Sequence, residues 1–388
     1  MDPVAIVDPV HICAVDDVQL VRLVREIATK EVRPHAASWE TEHRFPREAF
    51  EALGAAGLLG LPYPEALGGG GLSTPLYLLA IEELAAAMLA VGLGVSVQVL
   101  TMFATVRFGT PDQQRAWLPR ALTGEWIGSY CLSEPGSGSD AAAMITRAIR
   151  HDAGYTLSGT KAWVTHGSVA AYALVFCRTG EGSRGVTCFF VPTDLAGVSC
   201  TKVEHKMGMN ASPTAQLVFD DVQLPGEHRI GDEGQGFPIA MAALDGGRLG
   251  IASCAVGLAR EAVSVAVRYA KDRRQFGKPI IEQQGLGFLL ADMATSVTSS
   301  RALIADAARQ RDAGAPIAPA SAAMAKLHAT DAAMRVTTDA VQVLGGYGYV
   351  EEFPVERFMR EAKVLQIVEG TNQIQRVVIA RALARDAT

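Results

Sequence analysis

Tyr130-Cys131-Leu132-Ser133-Glu134-Pro135-Gly136-Ser137-Gly138-Ser139-Asp140 is the stretch on which the reading of this 388-residue chain turns. Small residues, hydroxyls and a proline follow one another in it with no helical or strand period, so something other than a core set its composition. Gly136 and Gly138 let the backbone approach a ligand or take positive φ, and Ser137 and Ser139 alternate hydroxyls with N–H groups, a combination suited to a pyrophosphate. The stretch reads as an anion cradle; a Gly/Ser surface loop is the plainer alternative. Gly136 to Ala141 also spells G-x-G-x-x-A, the turn of a dinucleotide-binding βαβ unit. That unit needs a strand before the turn and a helix after it, whereas Glu134-Pro135 interrupts any strand and strand-like segments follow Asp140.

Around this tract the composition is that of an ordered globular protein of two or three domains, 49% hydrophobic and 20% charged. A formal net charge of −6, with Lys and Arg spread along the chain, argues against a nucleic-acid partner. The cysteines (13, 131, 177, 188, 200, 254) form no C-x-x-C pair, so neither a zinc site nor a disulfide framework is suggested and no metal is expected. A reducing cytoplasm is the expected location, and Met1-Asp2-Pro3 does not open a signal peptide. Residues 84–106 are uncharged and could be mistaken for a membrane span; a break near Gly92-Gly94 would make them two buried helices, and no membrane span is expected.

Taken in order, residues 16–125 carry helical patterns. Asp16-Asp17 read as an N-cap signal before a face of Leu20, Leu23, Val24 and Ile27, Pro46 opens a short helix carrying Phe50 and Leu53, and Thr110-Pro111 caps another. The loop 60–73, with Gly68 to Gly71, separates the early helices from the apolar ones. From Trp126 to about 232 short β-branched and aromatic runs, Tyr155–Ser158, Ala171–Cys177, Val186–Val191 and Ala215–Phe219, alternate with turns, which predicts a compact sandwich or barrel. Long Ala-rich segments then predict four helices, at about 238–272, 284–313, 317–344 and 354–385, forming a bundle. The expected architecture is an α+β multidomain chain: an N-terminal helical domain over 1–125, a middle β domain over 126–232 and a C-terminal four-helix bundle over 233–388.

That order of domains, with the opening tract at the start of the β domain, resembles the acyl-CoA dehydrogenase family along nearly the whole chain. Cys131 to Asp140 looks like its first flavin-binding signature and Lys161-Ala162-Trp163-Val164-Thr165 like its second. Asp272-Arg273-Arg274-Gln275-Phe276-Gly277 resembles the segment that reaches a neighbouring subunit's FAD, and Gln342-Val343-Leu344-Gly345-Gly346 the next flavin contact. Glu369-Gly370-Thr371-Asn372-Gln373-Ile374-Gln375-Arg376 resembles the stretch bearing the catalytic base.

The resemblance implies FAD held by Tyr130, Leu132, Ser133, Gly138 and Ser139 from the first tract, and by Trp163, Val164 and Thr165 from the second. A neighbouring subunit would add Arg273, Gln275, Phe276, Gln284, Gln342, Val343, Gly345 and Gly346, which makes a homotetramer part of the site, with Thr371 and Gln373 beside the base. A lone strand Trp or an isolated Glu is more often core or solvated surface; the neighbouring motifs reverse that reading for Trp163 and Glu369. A hydride leaves the β-carbon of a saturated thioester only if the α-proton leaves too, so Glu369 is the expected base, with its pKa raised by burial. The acyl-CoA substrate would meet Ser139, Leu244, Asp245, Arg248, Val368, Gly370 and Arg381. Gly247 stands where isovaleryl members carry an alternative base, and Val368 where many members have Tyr, which favours short straight or 2-methyl-branched thioesters. His166, in place of a common Asn, reads as a structural residue or a second base. Electrons would pass to an electron-transferring flavoprotein. An oxidase, a carrier-protein-linked dehydrogenase and a non-catalytic flavin-binding protein share the same motifs.

Overall fold

The computed structural model describes residues 4–12 and 15–386. Its first layer is helical: α1 (Val15–Ile27), α2 (Ala36–Thr41), α3 (Arg47–Ala55), α4 (Thr74–Ala87), α5 (Leu89–Phe108) and α6 (Pro111–Leu122). Local signals explain several boundaries. Thr110 and Gln113 form a reciprocal capping box that starts α6, and Pro46 caps α3, whose Phe50 and Leu53 are fully buried. Asp16 and Asp17, by contrast, lie inside the first turn of α1 rather than at its cap. Leu23 turns outward, and the buried face runs through Val21, Val24 and Ala28 instead.

The uncharged run is two buried helices, but the break falls at Met88, which is extended at φ −159° and ψ 122°, and α5 passes straight through Gly92 and Gly94. These glycines serve close approach rather than a turn. A Cβ at Gly92 would lie 2.7 Å from Ala85, and one at Gly94 2.7 Å from the Phe50 ring. α5 and α7 (Gly236–Asp272) are long and apolar enough to cross a membrane, yet 89% and 94% of their most apolar windows are buried within the protein.

One sheet follows, built from β1 (Gly128–Cys131), β2 (Arg147–His151), β3 (Gly154–Thr165), β4 (Tyr172–Arg178), β5 (Val186–Pro192), β6 (Val198–Val203), β7 (Thr214–Pro225) and β8 (Arg229–Ile230). Its order is β6-β7-β3-β2-β4-β5-β8, with β1 parallel to β4. β1 takes in Tyr130 and Cys131, so the opening tract begins as a strand and only then loses its period. β4 is apolar up to its last residue, Arg178, because both its faces are covered: Ala173, Val175 and Cys177 point into the sheet's own core, Tyr172, Leu174 and Phe176 into the helical one.

The C-terminal part holds α7, a hairpin of β9 (Arg274–Gln275) and β10 (Lys278–Pro279), α8 (Gln284–Asp312), α9 (Ala318–Leu344), α10 (Val355–Leu365) and α11 (Asn372–Asp386). The fourth helix of the expected bundle is therefore two helices, parted over 366–371. Charge joins this part to the first layer. Glu83 of α4 pairs with Arg25 of α1 at 2.9 Å and Arg260 of α7 at 2.6 Å, and Glu82 pairs with Arg301 of α8 at 2.7 Å. Glu82, Glu83, Arg260 and Arg301 are all buried.

Candidate active site

Glu369 sits in the gap between α10 and α11, at φ +55°, followed by Gly370 at φ +84°. Two successive left-handed residues end the helical ladder and release carbonyls that need donors. The Gln375 side-chain amide donates to the Glu369 carbonyl at 3.2 Å and to that of Gly370 at 2.7 Å. Lys326 of α9 donates to the Gly370 carbonyl at 3.0 Å and to Asn372 Oδ1 at 2.8 Å. The Thr371 hydroxyl accepts from Ile374 N, and so caps α11. Lys326 and Gln375 escaped the sequence reading; Gln375 was quoted within the Glu369 stretch, but nothing local betrays its target.

Held this way, Glu369 points its carboxylate at α7. Oε2 is buried with no hydrogen-bond partner, and a Cβ on Gly247 would stand 2.8 Å from it. Burial pushes the Glu369 carboxyl up to about 7, against the pull of Arg248 and Lys326. Lys326 is itself pushed down to about 8 by burial, despite Glu369 and Asp331. The Glu369 backbone N–H has no hydrogen-bond partner among the described residues. Val368, before it in the chain, and Leu244 of α7 are half-buried and pack on the main core, and the Tyr130 hydroxyl donates to the Ala240 carbonyl at 3.2 Å. Arg248, buried, donates to Asp245 Oδ1 at 2.6 Å, while its Nε is left unpartnered. Burial raises the pKa of Asp245, with Arg248 and Arg311 opposing.

The opening tract is tied down from within by a pair that sequence reasoning missed. Glu134, buried, accepts from Ile145 N at 2.7 Å, from Thr146 N at 2.9 Å and from Lys161 Nζ at 2.9 Å; Lys161 also donates to the Leu132 carbonyl. Ser133 accepts from Ala162 N at 3.0 Å, so the first and second motifs are stitched side by side. Ser137 is spent internally, donating to the Asp140 carbonyl at 2.7 Å, while Ser139 is exposed. Neither Gly136 nor Gly138 takes positive φ, which leaves close approach as the one of their two expected uses still open, and a Cβ on either would meet nothing within 4 Å. Their backbone faces open space, as close approach of a ligand requires.

Trp163 occupies the bulge where the β3–β7 register shifts between Lys161 and Val164. At φ +60° and 64% exposed, it is not core. Val164 is, so it offers only backbone to a ligand, and Thr165 is half-buried beside it. His166 is buried: burial pushes it down to about 4, its Nδ1 lies 3.2 Å from the Gly128 carbonyl, its Nε2 has no hydrogen-bond partner among the described residues, and its ring sits edge-on to Phe45 and Phe50.

The third and fourth motifs of the expected cofactor set meet elsewhere on the chain. Arg273, Gln275, Val343, Gly345 and Gly346 line one surface hollow of about 500 Å³ together with Tyr347 and Tyr269. Arg273 lies over the Tyr347 ring at 5.8 Å. Arg274 is in the hairpin, donating to the Gly277 carbonyl, and Phe276 at the hairpin tip is 94% exposed at φ +53°. Gln284, Gln342, Gln373 and Arg381 are exposed, and none of their side chains makes a hydrogen bond or ion pair among the described residues.

Three comparisons bear on this arrangement. Residues 16–125, 129–222 and 234–384 match the N-terminal, middle and C-terminal domains of acyl-CoA dehydrogenase. The chain is 42% identical to a short-chain specific acyl-CoA dehydrogenase of Clostridium acetobutylicum over 95% of its own length and 98% of that protein. Butyryl-CoA dehydrogenase from Megasphaera elsdenii superposes with a TM-score of 0.93 at 39% identity, covering 96% of this chain and 99% of that one. A chain in a structure of the electron transferring flavoprotein of Acidaminococcus fermentans superposes with a TM-score of 0.94 at 40% identity, covering 96% and 99%.

Proposed function

The chain belongs to the acyl-CoA dehydrogenase family, and from that premise we propose that it dehydrogenates short straight or 2-methyl-branched acyl-CoA thioesters between the α- and β-carbons, with Glu369 as the base. One observation carries the reading. A buried carboxylate oxygen without a partner lies on the same residue as a backbone N–H without a partner among the described residues, on a left-handed loop whose Glu369 and Gly370 carbonyls are taken up by Gln375 and Lys326. The oxygen is poised to take the α-proton, and the N–H to hold the thioester carbonyl as negative charge grows on it. A carboxyl pushed up to about 7 is matched to that task, because it is basic enough to accept the proton and is still largely ionised just above neutrality.

FAD is the flavin that family membership implies, and the chain fits it. The open backbone of Gly136 and Gly138, the outward Trp163 face and the donors of Ser133 and Thr165 would take the ring and its phosphates. The hollow holding Arg273, Gln275, Gly345 and Gly346 would meet the pyrophosphate end from a second subunit, and the bare hairpin tip at Phe276 supports a homotetramer. Bound FAD supplies the acceptor for the β-hydride. Asp245, Arg248, Ser139 and Arg381 would hold the CoA portion, with Val368 and Gly370 along the thioester. An electron-transferring flavoprotein is the proposed acceptor, and free thiols at Cys131, Cys177, Cys188, Cys200 and Cys254 suit a cytoplasmic location. Anaerobic bleaching of the flavin across a panel of acyl-CoA thioesters tests the reading. Bleaching by butyryl-CoA or 2-methylbutyryl-CoA supports it, and a fully loaded protein that none of them bleaches refutes it.

A further inference from the structure

A buried ammonium needs hydrogen-bond acceptors and a countercharge, and for Lys326 of α9 these come from different places. Lys326 is fully buried, and its close oxygen partners are neutral: the Gly370 carbonyl at 3.0 Å and Asn372 Oδ1 at 2.8 Å. It makes no ion pair among the described residues. Two carboxylates act on it through space, Glu369 and Asp331. Asp331 is engaged elsewhere, accepting from Gln366 Nε2 and Asn372 Nδ2, both at 2.7 Å, and pairing with Arg376 at 3.3 Å. Glu369 Oε2 has no partner, and the other cation that acts on this carboxyl, Arg248 of α7, donates to Asp245 at 2.6 Å. The phenols of Tyr77 on α4 and Tyr130 on β1 also feel Glu369, but burial pushes both up and keeps them neutral; Arg311 of α8 acts on Asp245 and Tyr77.

The same contacts fix the backbone of the turn. Left-handed non-glycine residues persist only where their surroundings hold them, and Glu369 is one. Asn372, the first residue of α11, donates to Thr330 Oγ1 at 2.9 Å as well as to Asp331, so Lys326, Thr330 and Asp331 grip the end of the turn from one helix. We propose that Lys326 is a positioning residue for the dehydrogenation, holding the left-handed turn that presents Glu369 and supplying the buried positive charge that the Glu369 carboxylate faces. This rests on the reading of Glu369 as the base, and no proton leaves the ammonium in this role.

Two variants separate the hydrogen bond from the charge. Lys326→Met removes both at similar length, whereas Lys326→Gln keeps a donor and removes the charge. In flavin-loaded protein, flavin reduction by butyryl-CoA is followed from pH 6 to pH 9. In both variants the midpoint of its rise with pH should move up by roughly 1 unit, the low end of what a nearby opposite charge exerts. The limiting rate should fall by about 10- to 100-fold in Lys326→Met, as a displaced base requires, and by less in Lys326→Gln. A second readout needs no turnover. Without the cation, the folded-state pKa of Glu369 rises further above its unfolded value, so the loss of stability with rising pH should extend to higher pH. It is read as the difference in Tm between each protein and its Glu369→Gln counterpart. Slower reduction with both midpoints unmoved would make Lys326 a brace alone and overturn the proposal, as would wild-type kinetics in Lys326→Met. Where Lys326→Met loses its flavin, Lys326→Gln decides. If Glu369→Gln by itself reduces flavin at the wild-type rate, the base reading fails and the proposal with it; unmoved midpoints beside an inactive Glu369→Gln count against Lys326 alone.

Discussion

Replacing Gly247 by Ala isolates the contact between α7 and the base. The added methyl would stand 2.8 Å from Glu369 Oε2 and 3.0 Å from its carboxyl carbon, whereas non-bonded heavy atoms settle at about 3.5–4.0 Å. Because the Cβ is fixed to a buried helix, the carboxylate has to withdraw, by about 0.5–1 Å. Misplacing a reacting group by about 1 Å can cost on the order of 100-fold, so flavin reduction by a good thioester should fall by roughly 10- to 100-fold. The helix itself gains from the change, since alanine is favoured over glycine in a helix interior by about 1 kcal/mol. Thermal stability and flavin content should therefore hold while reduction slows. Stopped-flow reduction by butyryl-CoA, with thermal unfolding of the same preparation, makes the comparison. Wild-type reduction kinetics in Gly247→Ala would refute the packing of Glu369 against this helix, and a variant that loses its flavin would show that position 247 serves the fold instead.

Glu369→Gln keeps shape and hydrogen bonding but removes the proton acceptor, so reduction should fall by at least ~100-fold while FAD and thioester still bind; unchanged kinetics would sink the mechanism. The wild-type rate should climb with pH through about 7 as Glu369 ionises. The same raised pKa costs stability: between its ordinary 4.5 and about 7 the unfolded chain has given up a proton that the folded one keeps, so stability drains away across that window as pH rises. Thermal unfolding of Glu369→Gln should show less of that loss between pH 5 and pH 8, and an identical pH dependence would argue that the carboxyl is not buried. Arg273→Ala should lower the flavin-to-protein ratio after gel filtration, and a monomeric variant with full flavin would overturn the cross-subunit assignment. Val368→Tyr should penalise 2-methylbutyryl-CoA over butyryl-CoA by about 1–3 kcal/mol in specificity constant, because added volume costs only where it overlaps the ligand; an equal loss on both would remove Val368 from the wall.

Features set by neighbours in the chain were legible from residues alone. Thr110 with Gln113 announces a helix start, and Pro46 announces another. The outward Trp163 was legible only through the company of its motif, since its bulge depends on register against β7. What stayed hidden was set across long separations. A glycine can mark a turn or a close approach, and only the partner, Ala85 for Gly92 or Phe50 for Gly94, decides which. The gap in the last helix is likewise opaque: Gly370 permits it, but Lys326, far back on α9, makes the freed carbonyl tolerable. Glu134 and Lys161 each stood in a quoted motif, and nothing in either says that they bond to one another.

The ion pairs of Glu82 and Glu83 with Arg260 and Arg301 bear on how this chain could be cut and recombined. A truncation after residue 125 would strand Glu82, leave Glu83 with Arg25 alone and bare the apolar length of α5, and the remaining C-terminal piece would keep Arg260 and Arg301 unmatched. Breaking such a buried pairing from one side typically costs about 3–5 kcal/mol. A chimera that takes its first helices from one relative and its bundle from another therefore has to import both halves of the lattice together, or replace all four charges at once. The three segments are names along a chain, and none of the helical ones is a part that can be exchanged by itself.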